Sequence, residues 1–114
     1  METTERQKII DKVKSESKHS RLYIYPIPND EQDRFVLFHM PSPKDITNFR
    51  KSASDEQLTL QKAETLVLSS LEYPSIAEYG VLTNQEEGYP ALHQAIANEI
   101  WRVARGGDSV AKKV

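Results

Sequence analysis

Two stretches decide the fold: Arg21-Leu-Tyr-Ile-Tyr25 and Arg34-Phe-Val-Leu-Phe-His-Met40, separated by Pro26-Ile-Pro-Asn-Asp-Glu-Gln-Asp33. Both are rich in β-branched and aromatic residues, the composition of a pleated, buried surface, and both predict strands. Pro28-Asn-Asp-Glu-Gln-Asp33 supplies turn residues, so the economical reading is a β-hairpin over 21–40. Pro26 and Pro28 have no N–H to give to a ladder, which places the first strand at an edge. In the second strand Phe35, Leu37 and His39 share one face and Val36, Phe38 and Met40 the other. Both faces are largely apolar. A two-stranded ribbon is barely stable alone, so helices or a strand from another copy must cover this one.

Helical periodicity lies on either side of the hairpin. Over 4–18, Ile9, Ile10 and Val13 fall within about 100° of one another, a thin stripe on a segment too short to be stable alone. Residues 1–20 therefore read as a peripheral helix or an arm that orders on binding. After the hairpin, Ser42, Pro43 and Asp45 form a helix start, followed by Ile46, Phe49 and Ala53 at helical spacing. Ser54-x-x-Gln57 is a capping box that opens the longest helix, 55–72, with the stripe Leu60, Ala63, Val67 and Leu71. Leu66 and Leu68 flank that stripe roughly 160° apart, so this helix is either central or capped by a partner. Tyr73-Pro74 ends it. A second box, Ser75-x-x-Glu78, opens a helix over 75–83 carrying Ile76, Tyr79 and Leu82. Pro90 and Gly106-Gly107 bound the last helix, 90–105, with the stripe Leu92, Ile96, Ile100 and Val103. Trp101 sits about 130° from the centre of that stripe. The expected architecture is α+β but mainly α: a small bundle of four to five helices with one β-hairpin near the N-terminus. Residues 21–107 form the single domain, and 108–114 read as a flexible tail.

The 114 residues fit one domain. No run approaches the roughly 18 apolar residues of a membrane span, and Met1 to Arg6 lack the apolar core of a signal peptide. With no cysteine there is neither a disulfide framework nor a thiolate metal site, which accords with the cytoplasm. The segment 22–104 holds six basic and twelve acidic residues, opposite to the dense basic face that nucleic acid requires. His19, His39 and His93 are far apart in sequence and none has a second ligand at metal spacing, so no metal or cofactor is expected. Neither a GxSxG nor an HExxH motif is present, and two of the four glycines are spent on the helix stop, which leaves little for a phosphate loop. Asp30, Glu31 and Asp33, like Glu86-Glu87, read as solvated turn charge. The expectation is therefore a protein that is not an enzyme, with Trp101, Leu66, Leu68 and Tyr79 as candidate partner contacts.

The order of motifs adds a resemblance. Phe38-His-Met-Pro-Ser-Pro43 leads into Asp45-Ile46, then Glu64-Thr-Leu-Val-Leu-Ser-Ser-Leu71, Tyr73-Pro74-Ser75, Tyr89-Pro90-Ala91-Leu92 and Ala95-Ile96-Ala97-Asn98-Glu99-Ile100. Across residues 33–107 this resembles the tail assembly chaperones of tailed phages and related prophage or tail-like particles. The N-terminal helix lies outside that pattern. The resemblance implies a mostly helical, nucleotide-independent chaperone in the host cytoplasm that covers the tape measure protein, a long apolar-faced helical client, by helix-in-groove contacts. It also implies self-association along the client, with the hairpin edge as one candidate contact. Another small helical adaptor, a secretion chaperone or a structural virion component fits the same residues.

Overall fold

The computed structural model describes residues 3–51 and 56–114. Strands β1 (Leu22–Pro26) and β2 (Phe35–His39) pair antiparallel, with Leu22 opposite His39 and Pro26 opposite Phe35. The turn between them is tied by one acid. Asp30, only 6% exposed, accepts the Arg34 backbone N–H at 2.7 Å and the Arg34 guanidinium at 3.0 and 2.9 Å. The Tyr89 hydroxyl donates to the same carboxylate at 2.8 Å. Asn29 and Asp33 take left-handed φ values of 60° and 52°, a conformation their short polar side chains tolerate better than most. Of the three acids read as solvated turn charge, Glu31 and Asp33 are exposed, whereas Asp30 is a buried structural group.

Both apolar faces of β2 are covered, each by a different layer. Val36 and Phe38 join the main core with residues of α2 (Pro43–Lys51), α3 (Glu56–Ser70) and α5 (Leu92–Ala104). Phe35 and Leu37 join a second cluster under Ile10 of α1 (Thr3–Glu16), with Ile9 and Val13 packed beside it. The thin stripe of α1 thus docks on the sheet, a narrow apolar line meeting an apolar strand face. Local signals place the other helices. Ser42 Oγ accepts the Asp45 N–H at 3.2 Å and starts α2, which buries Ile46 and Phe49. Ser75 Oγ accepts the Glu78 N–H at 3.2 Å and starts α4 (Ile76–Leu82). Gly106, at φ 76°, ends α5 in the left-handed conformation that glycine adopts without steric cost. The helix start expected at Ser54, and Ala53 before it, lie outside the described residues. Because α3 packs between α2 and α5 and touches β2, its doubly apolar C-terminal half needs no partner to cover it. Leu60, at 43% exposed, marks where its stripe runs out to solvent.

The helical bundle with one N-terminal hairpin is corrected by a four-stranded antiparallel sheet of order β3-β2-β1-β4. The hairpin follows α1 and forms the middle of that sheet. Three local readings change with it. The long helix stops at Ser70, whose buried hydroxyl donates to the Leu66 and Val67 carbonyls at 2.9 and 3.2 Å. Leu71–Tyr73 then leave as β3, pairing with Phe38 and Leu37 across a bulge. The expected loose tail returns as β4 (Lys112–Lys113), paired with Ile24 and Tyr23. Buried Glu99 directs it back by accepting the Ser109 hydroxyl and the Val110 N–H, and Ala111 is buried behind it. β1 is accordingly an inner strand. Pro26 is tolerated there because β4 reaches only Tyr23 and Ile24 and leaves Pro26 facing no strand on that side. The hairpin edges expected as a self-association contact are both occupied, by β3 and β4. Among the described residues no helix is long and apolar enough to cross a membrane.

Candidate binding groove

The four candidate contacts separate into two pairs. Leu66 and Tyr79 are 2% and 1% exposed and belong to the core, so no partner reaches them while the helices stay packed. Leu68 and Trp101 are half-buried against that core. Tyr79 is held by a hydrogen bond between its hydroxyl and His93 Nδ1 at 3.0 Å, which ties α4 to α5. Burial pushes the Tyr79 phenol well above the ordinary tyrosine value, and burial lowers His93 while the Glu64 charge opposes that shift.

Trp101 stands on the flank of α5 that faces Arg50 of α2, whose guanidinium lies 4.7 Å from its ring centroid. With Met40, Pro41, Pro43, Ile46 and Ala104 it lines an open groove of about 460 Å³. The link Pro41-Ser42-Pro43 shapes the floor, because proline fixes φ and keeps the preceding residue extended. Arg21 closes one side, its guanidinium donating to the Tyr23 hydroxyl at 2.6 Å. Among the described residues, none that lines this groove is acidic. Trp101 was legible in the sequence from its angle off the stripe. Met40, Pro41 and Pro43 were not, because only the folded chain sets the start of α2 across from Trp101 and makes them a wall.

The groove continues into a recess of about 380 Å³ that shares Arg21, Met40, Pro41 and Pro43 and adds His19, Ser20 and His39. There the His19 and His39 rings stack with centroids 3.6 Å apart and planes inclined by 7°. His39 Nδ1 lies 2.9 Å from Glu72 Oε2 on β3. His19 and His39, far apart in sequence, thus meet in space. The hairpin register sets His39 opposite Leu22, close in the chain to His19. Glu72 arrives only because 71–73 is a strand and not the end of a helix.

A second apolar recess, about 210 Å³, opens between β3 and α4, lined among others by Phe35, Tyr73, Pro74, Val81 and Leu82. On α4, Ile76 and Val81 stand 67% and 65% exposed, whereas Tyr79 and Leu82 are buried. No family model, no curated protein and no solved structure matches this chain.

Proposed function

We propose that this chain is a non-enzymatic assembly chaperone whose Trp101 groove holds an apolar helical segment of a client protein. The tape measure protein of a phage tail is the client that the resemblance in motif order points to, and the host cytoplasm is the corresponding setting. The groove itself carries the reading. An indole flanked by Met40, Pro41 and Ile46 offers an apolar surface of the kind that takes two or three side chains from one face of a helix. Half-buried aromatics of this sort act as anchors because they lose little side-chain freedom on binding. Arg21 and Arg50 stand beside that surface with no carboxylate in its lining among the described residues, so the favoured client helix carries Asp or Glu next to its apolar stripe.

The test is co-expression with the long helical client and measurement of how much client stays soluble. The chaperone raises that fraction, Trp101→Ala lowers it towards the level without chaperone, and the circular dichroism spectrum of the variant is unchanged. Val81→Lys, on the exposed face of α4 and away from the groove, leaves client solubility as in the unsubstituted chain. Client that is equally soluble without this protein overturns the proposal. So does a Trp101→Ala variant that folds and protects the client fully.

A further inference from the structure

We infer that His19, His39 and Glu72 form a binding site for one divalent transition-metal ion of the zinc class. Two imidazole nitrogens and one carboxylate oxygen make up a three-ligand zinc set, with the fourth position left to water. Here the donor atoms of the three side chains lie within 4.8 Å of one another. One pair, His39 Nδ1 and Glu72 Oε2 at 2.9 Å, needs to open only slightly to reach the roughly 3.3–3.6 Å that two tetrahedral ligands keep with bonds of about 2.0–2.2 Å. Nitrogen donors select this class of ion over magnesium or calcium, which prefer all-oxygen shells.

The fold supplies two fixed ligands and one adjustable one. His39 and Glu72 sit on the paired strands β2 and β3, and their side chains are only 13% and 16% exposed. Their separation is therefore set by the sheet. His19 is exposed, on the link between α1 and β1, and its ring lies flat against that of His39. The His19 and His39 rings are parallel, so their in-plane lone pairs do not converge as they stand, and exposed His19 turns about its side-chain torsions to bring a ring nitrogen to the ion. A shared ion thus replaces the stacking contact with a bond. It also joins three separate segments, fixing the α1–β1 link to the sheet at the end of the groove that His19 and His39 line.

The experiment uses the full, untagged chain, stripped with a chelator and titrated with Zn²⁺ by calorimetry. The expected result is one ion per chain and a melting temperature that rises with added Zn²⁺. His19→Ala and Glu72→Gln each weaken binding by about tenfold or more, whereas His93→Ala binds as the original chain does. His19 is exposed, so its loss leaves folding intact, and an unchanged circular dichroism spectrum checks this. Co²⁺ in place of Zn²⁺ gives the visible absorption band of a four-coordinate nitrogen–oxygen site, lost in His19→Ala. The inference is overturned if Zn²⁺ shows no saturable binding. It is equally overturned if His19→Ala binds with unchanged affinity, or if His93→Ala loses binding as His19→Ala does.

Discussion

Asp30 makes the hairpin turn depend on a charge. The hydrogen bonds from the Arg34 side chain, more than any other contact, hold its carboxyl far below the usual carboxylate range, against the opposing cost of burial. A carboxyl lowered in the fold is protonated first in the unfolded chain, so acid favours unfolding. The stability it contributes is complete above the unfolded carboxylate value, about pH 4, and is lost as the pH falls towards the folded value. Asp30→Asn keeps the size but forfeits the charge-assisted bonds, at a cost of about 2–3 kcal/mol at pH 7. Urea melts at pH 7 and pH 3 check this, with the difference between variant and original shrinking at the lower pH. The sequence placed Asp30 in a turn correctly, as its neighbours dictate. It held no sign that Tyr89 and Arg34 would close over the side chain, because Tyr89 comes from the far end of the fold.

Helix starts are the most legible elements in this chain because their causes are local. Ser42 and Ser75 each accept an N–H three residues ahead, and that pattern is written in adjacent letters. The strands β3 and β4 had no such signal. Segments of three and two residues are too short to show alternation, and what makes them strands is a free edge supplied by β1 and β2. The same lack hid Glu72 from its histidines, so the metal-ligand cluster was illegible, while the Trp101 side of the groove was half readable. The return of the chain into β4 rests on Glu99, whose carboxylate also takes Arg102 Nη1 at 2.8 Å. Stopping the chain after Gly107 removes the burial of Ala111 and Val114 and leaves Glu99 buried without Ser109 and Val110. The expected loss is about 2–4 kcal/mol, read as a lower urea midpoint.

Taken together, the layers make α1 a lid over one face of the sheet rather than a separate arm. Deleting residues 1–18 bares Phe35 and Leu37 on a continuous apolar surface that also includes Ile24 and Tyr73. Such a patch is expected to associate, giving a larger species by light scattering and increased binding of an apolar dye. Edge-to-edge pairing is a poorer route for the intact molecule, since both outer strands are very short and β4 consists of two exposed lysines. The enclosure of β2 has a kinetic side as well. Strands cover both its edges and helices both its faces, and Val36, Leu37 and Phe38 have no measurable exposure. Their backbone protons can reach solvent only when the whole molecule opens, whereas those of α4, at the surface, escape through local fraying. Deuterium uptake at these three positions is therefore expected to be the slowest in the chain and to track the global unfolding free energy. Those protons become an internal clock, against which any local loosening elsewhere in the fold is timed.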